Sequence, residues 1–263
     1  MKRTAAVLIL ALAAAGAAQA ESTLPFGKSW AGEHKLPKPY GVGMDFFTLN
    51  QDYAIKSLSF DLPGASIGDP SAIRVSNALN HVDVKADAWL FPFLNVFGVV
   101  GKVHARTPVN LGAVTIPNVP PGLLNELLIR YSGEVYGGGM TLVYGGEHWF
   151  TSVTGTYAES SLSGDFDSKV TSQSWQPRVG LIRGPWAFWV GGMFLDVSED
   201  HAGTIALPFL GSVPFAVELE NKTNASAAFG ARCSLAETVD LSFEFSNAAR
   251  KSTLLNVTWR FGE

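Results

Sequence analysis

From 239 to 246 every second residue is apolar. Val239, Leu241, Phe243 and Phe245 alternate with Asp240, Ser242, Glu244 and Ser246. Successive side chains of an extended strand point to opposite faces, so this stretch reads as a strand with one greasy and one polar side. The pattern is not isolated. Val82, Val84, Ala86, Ala88 and Leu90 alternate with His81, Asp83, Lys85, Asp87 and Trp89. Further on, Phe97, Val99, Gly101, Val103 and Ala105 share one face, and Lys102, His104 and Arg106 the other. The apolar run DAWLFPFLNVFGVVGKV (87–103) is therefore two strands meeting at a turn near 93–95. The flanking alternation fits no helix face.

The same period recurs over 40–50 with a continuation through 51–60, and over 135–145, 149–158, 172–182, 223–235 and 253–261. The segment 186–198 is apolar on both faces. The two strands that meet at 93–95 run about ten to fourteen residues, longer than the roughly five or six of ordinary strands and sufficient for the 9–11 that cross a bilayer. Several ionisable groups on one face are costly in a dry core. They are at home on a wet lumen, with the other face on lipid. The expected fold is all-β, a transmembrane antiparallel up-and-down β-barrel of about ten strands, with eight to twelve in range. Short links at 92–95, 145–148, 183–185 and 236–238 alternate with mostly longer ones at 61–80, 108–131, 160–171 and 199–222, and a short one near Asn247. That is the expected interleaving of short periplasmic turns and long extracellular loops.

Composition adds bounds. Of the 263 residues 47% are hydrophobic, with 27 glycines and seven tryptophans, yet no later segment has the 18 or more consecutive apolar residues of a spanning helix. The first twenty residues, MKRTAAVLILALAAAGAAQA, read as a secretory signal peptide cleaved after Ala20. Removing Lys2 and Arg3 takes the formal charge from −4 to −4 − 2 = −6, which argues against a nucleic-acid partner. Cys233 is the one cysteine, so no internal disulfide forms. Residues 21–39, polar with three prolines, read as a periplasmic N-terminal segment or a lumen plug. Residues 40–263 form the barrel.

The signal peptide, the amphipathic strands and the closing LLNVTWRF resemble the outer-membrane β-barrel proteins of Gram-negative bacteria. The usual terminal aromatic is Phe261, and here Gly262 and Glu263 follow it, a departure from the pattern. The blocks YGVGMDFFTLNQDY and DAWLFPFLNVFG are similar to a group of small barrels with few characterised members. The resemblance implies an outer-membrane location, contact with outer-membrane lipids and lipopolysaccharide, insertion by the barrel-assembly machinery, and a monomer.

Within that fold the polar faces assign a lumen lining of Asp45, Asp83, Lys85, Asp87, Lys102, His104, Arg106, Arg178, Arg232, Asp240, Glu244 and Arg260. A turn at 93–95 would set Asp87 opposite Lys102, Asp83 opposite Arg106 and Lys85 opposite His104, each pair contributing roughly 0.2–1 kcal/mol. Two readings of this mixed lining stay open: paired charges that fill a narrow barrel, or a selectivity lining for a small polar or ionic solute. Trp89, Phe91, Phe97, Trp149, Trp186, Trp189, Trp259 and Phe261 are expected at the membrane interface. The outer stretches 114–129 and 204–219 are unusually apolar for exposed loops. They cap the mouth, bind an apolar ligand or lipopolysaccharide, or extend their own hairpins as strands. The expected function is a narrow pore or transporter for a small solute. The alternatives are a non-conducting structural or adhesion barrel acting through its outer loops, and an outer-membrane hydrolase. The hydrolase is disfavoured, because none of the five histidines has a serine two residues later. His81 beside Asp83 is the nearest approach to an acid–histidine pair. No metal-ligand spacing, phosphate loop or dinucleotide fingerprint occurs, so no metal or cofactor is expected.

Overall fold

The computed structural model describes residues 24–32, 36–61, 66–67, 73–109, 114–115, 127–164, 166–207, 211–247 and 250–262. Alternating residues form long strands, in chain order β1 (Tyr40–Phe60), β2 (Ser66–Ile67), β3 (Val75–Phe91), β4 (Leu94–Val109), β5 (Val114–Thr115), β6 (Leu127–Gly145), β7 (Trp149–Gly164), β8 (Phe166–Arg183), β9 (Trp186–Leu207), β10 (Gly211–Asn221), β11 (Ala225–Ala236), β12 (Val239–Asn247) and β13 (Arg250–Phe261). Strands β2 and β5 pair only with each other. The remaining strands close, all antiparallel, into a barrel.

The barrel has two tiers of different width. At the end with the short turns the ring runs β1, β3, β4, β6, β7, β8, β9, β11, β12, β13 and back to β1, which is ten strands. Higher up, β9 exchanges partners: Phe194 pairs with Ala225 of β11, but Ser198 pairs with Glu220 of β10. Strand β1 does the same, with Gln51 paired to Arg250 of β13 and Tyr53 to Asn221 of β10. Both β10 and β11 run antiparallel to β9, so they are one path interrupted at 222–224. The hairpin β12–β13 ends beneath β10, and the ring above it has eight strands.

The side chains change character at the same height. Outside the lower tier, every outward position from Val82 to Leu90 on β3 is apolar, as are Leu142, Met140 and Tyr136 on β6 and Phe188, Val190 and Phe194 on β9. The largest of these stay exposed on the barrel surface. One or two outward steps higher the exposed residues are Asn50, Asn80, Lys102, Glu134, Gln173, Asp196, Asn247 and Lys251. The interior inverts in the opposite sense. Below, it is polar. Above, Val103, Ala105, Tyr131, Val135, Leu162 and Phe215 form one buried cluster, and Tyr53, Ile73, Val75 and Leu219 another. An eight-stranded ring is just wide enough for side chains to fill. The buried Tyr131 hydroxyl is met by Asn77 Nδ2 at 2.7 Å.

A hydrogen-bonded hub closes the step between the tiers. Arg250, 1% exposed, donates from Nε to Gln51 Oε1 at 2.9 Å and from Nη2 to the Thr223 carbonyl at 2.7 Å. Asn221 Nδ2 donates to the Leu195 carbonyl at 2.9 Å, and its Oδ1 accepts from Val197 N at 3.1 Å. These groups satisfy the carbonyls freed where the sheet changes partners.

Several expectations change here. The strands run past their expected ends, so that most of the links at 160–171 and 199–222 are strand. The segment 211–221 is β10, and within 204–219 the strand-extension reading holds for it: Val213, Phe215 and Leu219 point inward and are buried. Most of 114–129 lies outside the described residues, as do 1–20, the expected signal peptide, and 21–23.

Candidate functional site

The lower tier encloses a cavity of about 2040 Å³ that reaches down to the turns at Gly146, Gly184 and Glu237 and up to Val103, Tyr131 and Leu162. Of the twelve residues assigned to the lumen, Asp45, Asp83, Lys85, Arg178, Arg232, Asp240, Glu244 and Arg260 line this cavity, and Asp87 is buried beside it. Lys102, His104 and Arg106 do not. They point outward on β4 and are exposed, while Val103, Ala105 and Thr107 between them are buried inside. The cause is register. The turn is the two-residue Pro92–Phe93, with a bulge between Trp89 and Phe91, so Asp87 faces Phe97, Lys85 faces Val99 and Asp83 faces Gly101. An odd-numbered slip in pairing moves a whole strand to the other face. The three expected cross-strand charge pairs do not form.

The lumen charges are organised along the wall. Arg178 on β8 reaches past two strands to Glu244 on β12, with Nε–Oε2 at 2.7 Å and Nη2–Oε1 at 3.0 Å. Trp189 Nε1 donates to the same Glu244 Oε2 at 2.6 Å, and the guanidinium lies 5.7 Å from the indole centroid. The indole lies over Gly230 of β11, where a Cβ would collide with it. Lower down, Arg260 binds Asp87 at 3.1 Å and Asp240 at 3.3 Å, and Asn95 donates to Asp87 at 2.7 Å. The Asp87 carboxylate occupies the space a side chain at Gly41 would need. Asn256 donates to Asp45, and His81 Nδ1 lies 2.8 Å from Asp83 Oδ2. Such bidentate and networked pairs hold their geometry better than single exposed bridges. The opposite wall is hydroxyl-rich, with Thr141, Ser152, Thr154, Ser172 and Ser174 on β6, β7 and β8.

The aromatic residues divide. Trp149, Trp186 and Trp259 are exposed on the outside near the turns. Phe261 is buried between Tyr40 and Trp259. Phe91 stacks with Phe93 and Trp30 at the lower mouth, where Trp30 also lines the cavity. Trp89, Phe97 and Trp189 point inward and line the lumen, correcting their placement at the interface. Trp189 stood in a segment apolar on both faces, which carries no face signal. Phe97 moved with the β4 register. The expected interface set also left out an upper row of outward aromatics, Phe46, Tyr136, Tyr157, Trp175, Phe194 and Phe245, although the alternation of their segments puts Tyr136, Tyr157 and Trp175 on outward faces. Tyr136 and Tyr157 both donate to Glu159, each at 2.7 Å. On three strands the lower and upper rings are eight residues apart (144 − 136, 157 − 149 and 194 − 186). That spacing was available as a signal.

No family model and no curated protein matches the chain. The structure is similar to solved bacterial barrels at low identity. The transport unit of the autotransporter AIDA-I from Escherichia coli is 9% identical, with TM-score 0.42, over 88% of this chain and 92% of that one. An outer membrane channel from Pseudomonas putida F1 is 10% identical, with TM-score 0.39, over 87% and 98%. The Ralstonia pickettii toluene transporter TbuX is 10% identical, with TM-score 0.34, over 86% and 90%.

Proposed function

We propose that the chain is an outer-membrane barrel that takes a small polar solute into its lower tier from the periplasm, with the upper tier closed in the resting state. The membrane reading is supported by the belt of exposed apolar side chains between two aromatic rows. Eight residues of a tilted strand span roughly 20 Å, close to the ~25 Å apolar band of such barrels. The carrying observation for the solute is the contrast between tiers. A cavity of about 2040 Å³ lined by hydroxyls and by charges of both signs, Lys85, Arg232, Asp45 and Glu244 among them, lies below a ceiling of Val103, Tyr131, Val135 and Leu162. A polar solute fits the first environment and is excluded by the second.

Planar-bilayer recording tests this. The native barrel is expected to be silent or to open rarely, and Tyr131→Ala with Phe215→Ala is expected to raise conductance by hollowing the packed ring. A steady ohmic conductance from the native barrel would defeat the closed reading, and a hollowed variant that stays silent would defeat the gate.

A further inference from the structure

Arg250 is buried at the step between the tiers without a carboxylate partner among the described residues. Its guanidinium carries five N–H donors and the residue is 1% exposed. Nε donates to Gln51 Oε1 at 2.9 Å, and Nη2 to the carbonyls of Thr223 at 2.7 Å and Leu195 at 3.4 Å. Both hydrogens of Nη1 are left over, and Nη1 is buried with no hydrogen-bond partner. Gln51, the register partner of Arg250 on β1, is 4% exposed and leaves its buried Nε2 unpartnered as well. The ion pairs inside the barrel among the described residues are Arg178–Glu244, Arg260–Asp87, Arg260–Asp240 and His81–Asp83, and none includes Arg250. On the two strands flanking β13 the nearest inward carboxylates are Asp45 and Glu244. Both stand lower and are engaged, Asp45 by Asn256 and Glu244 by Arg178 and Trp189.

Chemistry selects the occupant. A buried charge is costly unless an opposite charge compensates it. The neutral carbonyls satisfy hydrogen bonds but leave the charge in place, and water would do no more. Both leftover groups are donors, so a cation is repelled here and an anion attracted. The tight enclosure of Nη1 favours a single-atom anion over a phosphate or the carboxylate of a solute. Access is through the lower-tier cavity, which Gln51 and Leu195 help to line.

We propose that a chloride ion sits against Nη1 of Arg250 and is the counter-ion of the step between the tiers. It holds the seam where β1 and β9 change partners, and it is separate from any solute in the cavity below.

The test uses the full-length barrel in detergent, unfolded with urea in sodium chloride or in sodium gluconate of equal ionic strength. The native-to-unfolded ratio is expected to rise about tenfold for each tenfold increase of chloride above its Kd, and bromide is expected to do the same. Gln51→Glu places a carboxylate beside the guanidinium while keeping the oxygen that accepts from Nε. That variant is expected to outlast the native barrel in gluconate and to ignore chloride. Lys251→Gln, which removes an exposed cation one residue away, is expected to leave the chloride response intact. A native barrel indifferent to chloride overturns the proposal. So does a Gln51→Glu variant as chloride-sensitive as the native barrel, which would mark general salt screening. An equal response to phosphate or acetate would indicate a larger anion and also overturn it. Heat-modifiable gel migration checks the fold of each variant. Diffraction from native crystals soaked in bromide needs no variant. An anomalous peak in contact with Nη1 is expected, and its absence overturns the ion, whatever else occupies the place.

Discussion

Trp189 owes its position to a side chain that is missing. Its indole lies flat over Gly230 and so can reach Glu244 while Arg178 grips the same carboxylate. A Gly230→Val substitution should push the indole into the cavity and break that bond. The expected cost is about 2 kcal/mol, as for other overpacked sites, seen as a lower urea midpoint together with a shift of tryptophan emission. Arg250 does the complementary job at the step between tiers, closing several open acceptors with one buried guanidinium. Arg250→Ala leaves the Thr223 carbonyl and the Gln51 side chain without it. A loss of about 3 kcal/mol is expected, measurable in the same unfolding experiment, with Lys251→Ala on the exposed face nearly neutral.

Single strands pass from one regime to another. Strand β3 carries Val84 and Val82 outward at the belt, then Asn80, Ala78 and Ser76 outward above it. Arginine introduced at Val84 should cost about 2–4 kcal/mol in vesicle-refolded protein. Arginine at Ala78, on the same face three outward steps higher, should cost almost nothing. Equal costs would mean that the belt does not end at Asn80. This crossing also explains what could be read from the chain and what could not. On β12 and the lower part of β3 the alternation stays within one regime, so Asp240, Glu244, Asp83 and Lys85 were legible as inward. On β4 the polar residues sit above the belt and face out, while both faces below are apolar. The rule that polar means inward, applied along the whole strand, therefore put Lys102, His104 and Arg106 on the wrong side. The pairing that would have corrected it depends on a bulge beside Pro92, and bulges leave little trace in composition.

At the scale of the molecule the barrel type was legible because period-two segments of spanning length have few other homes. The narrowing from ten strands to eight was not, because it depends on which strands meet at 222–224 rather than on any strand's own pattern. It can be tested directly. Cysteines at Ala54 and Glu220, in a Cys233→Ser background, should form a disulfide on oxidation, because β1 and β10 are register neighbours there. In a barrel ten strands wide throughout, β12 and β13 would separate the two, and no cross-link would form.

The step also gives the chain two places to close instead of one. The outer ring is sealed by residues that precede the final hairpin, whereas the inner ring waits for β12 and β13 to meet β1. If the outer seal formed first, the hairpin would have to slide into a gap already roofed by Asn221 and Arg250. In that order, insertion of β12 and β13 would be tied to the moment of sealing, a wedge driven under a finished arch.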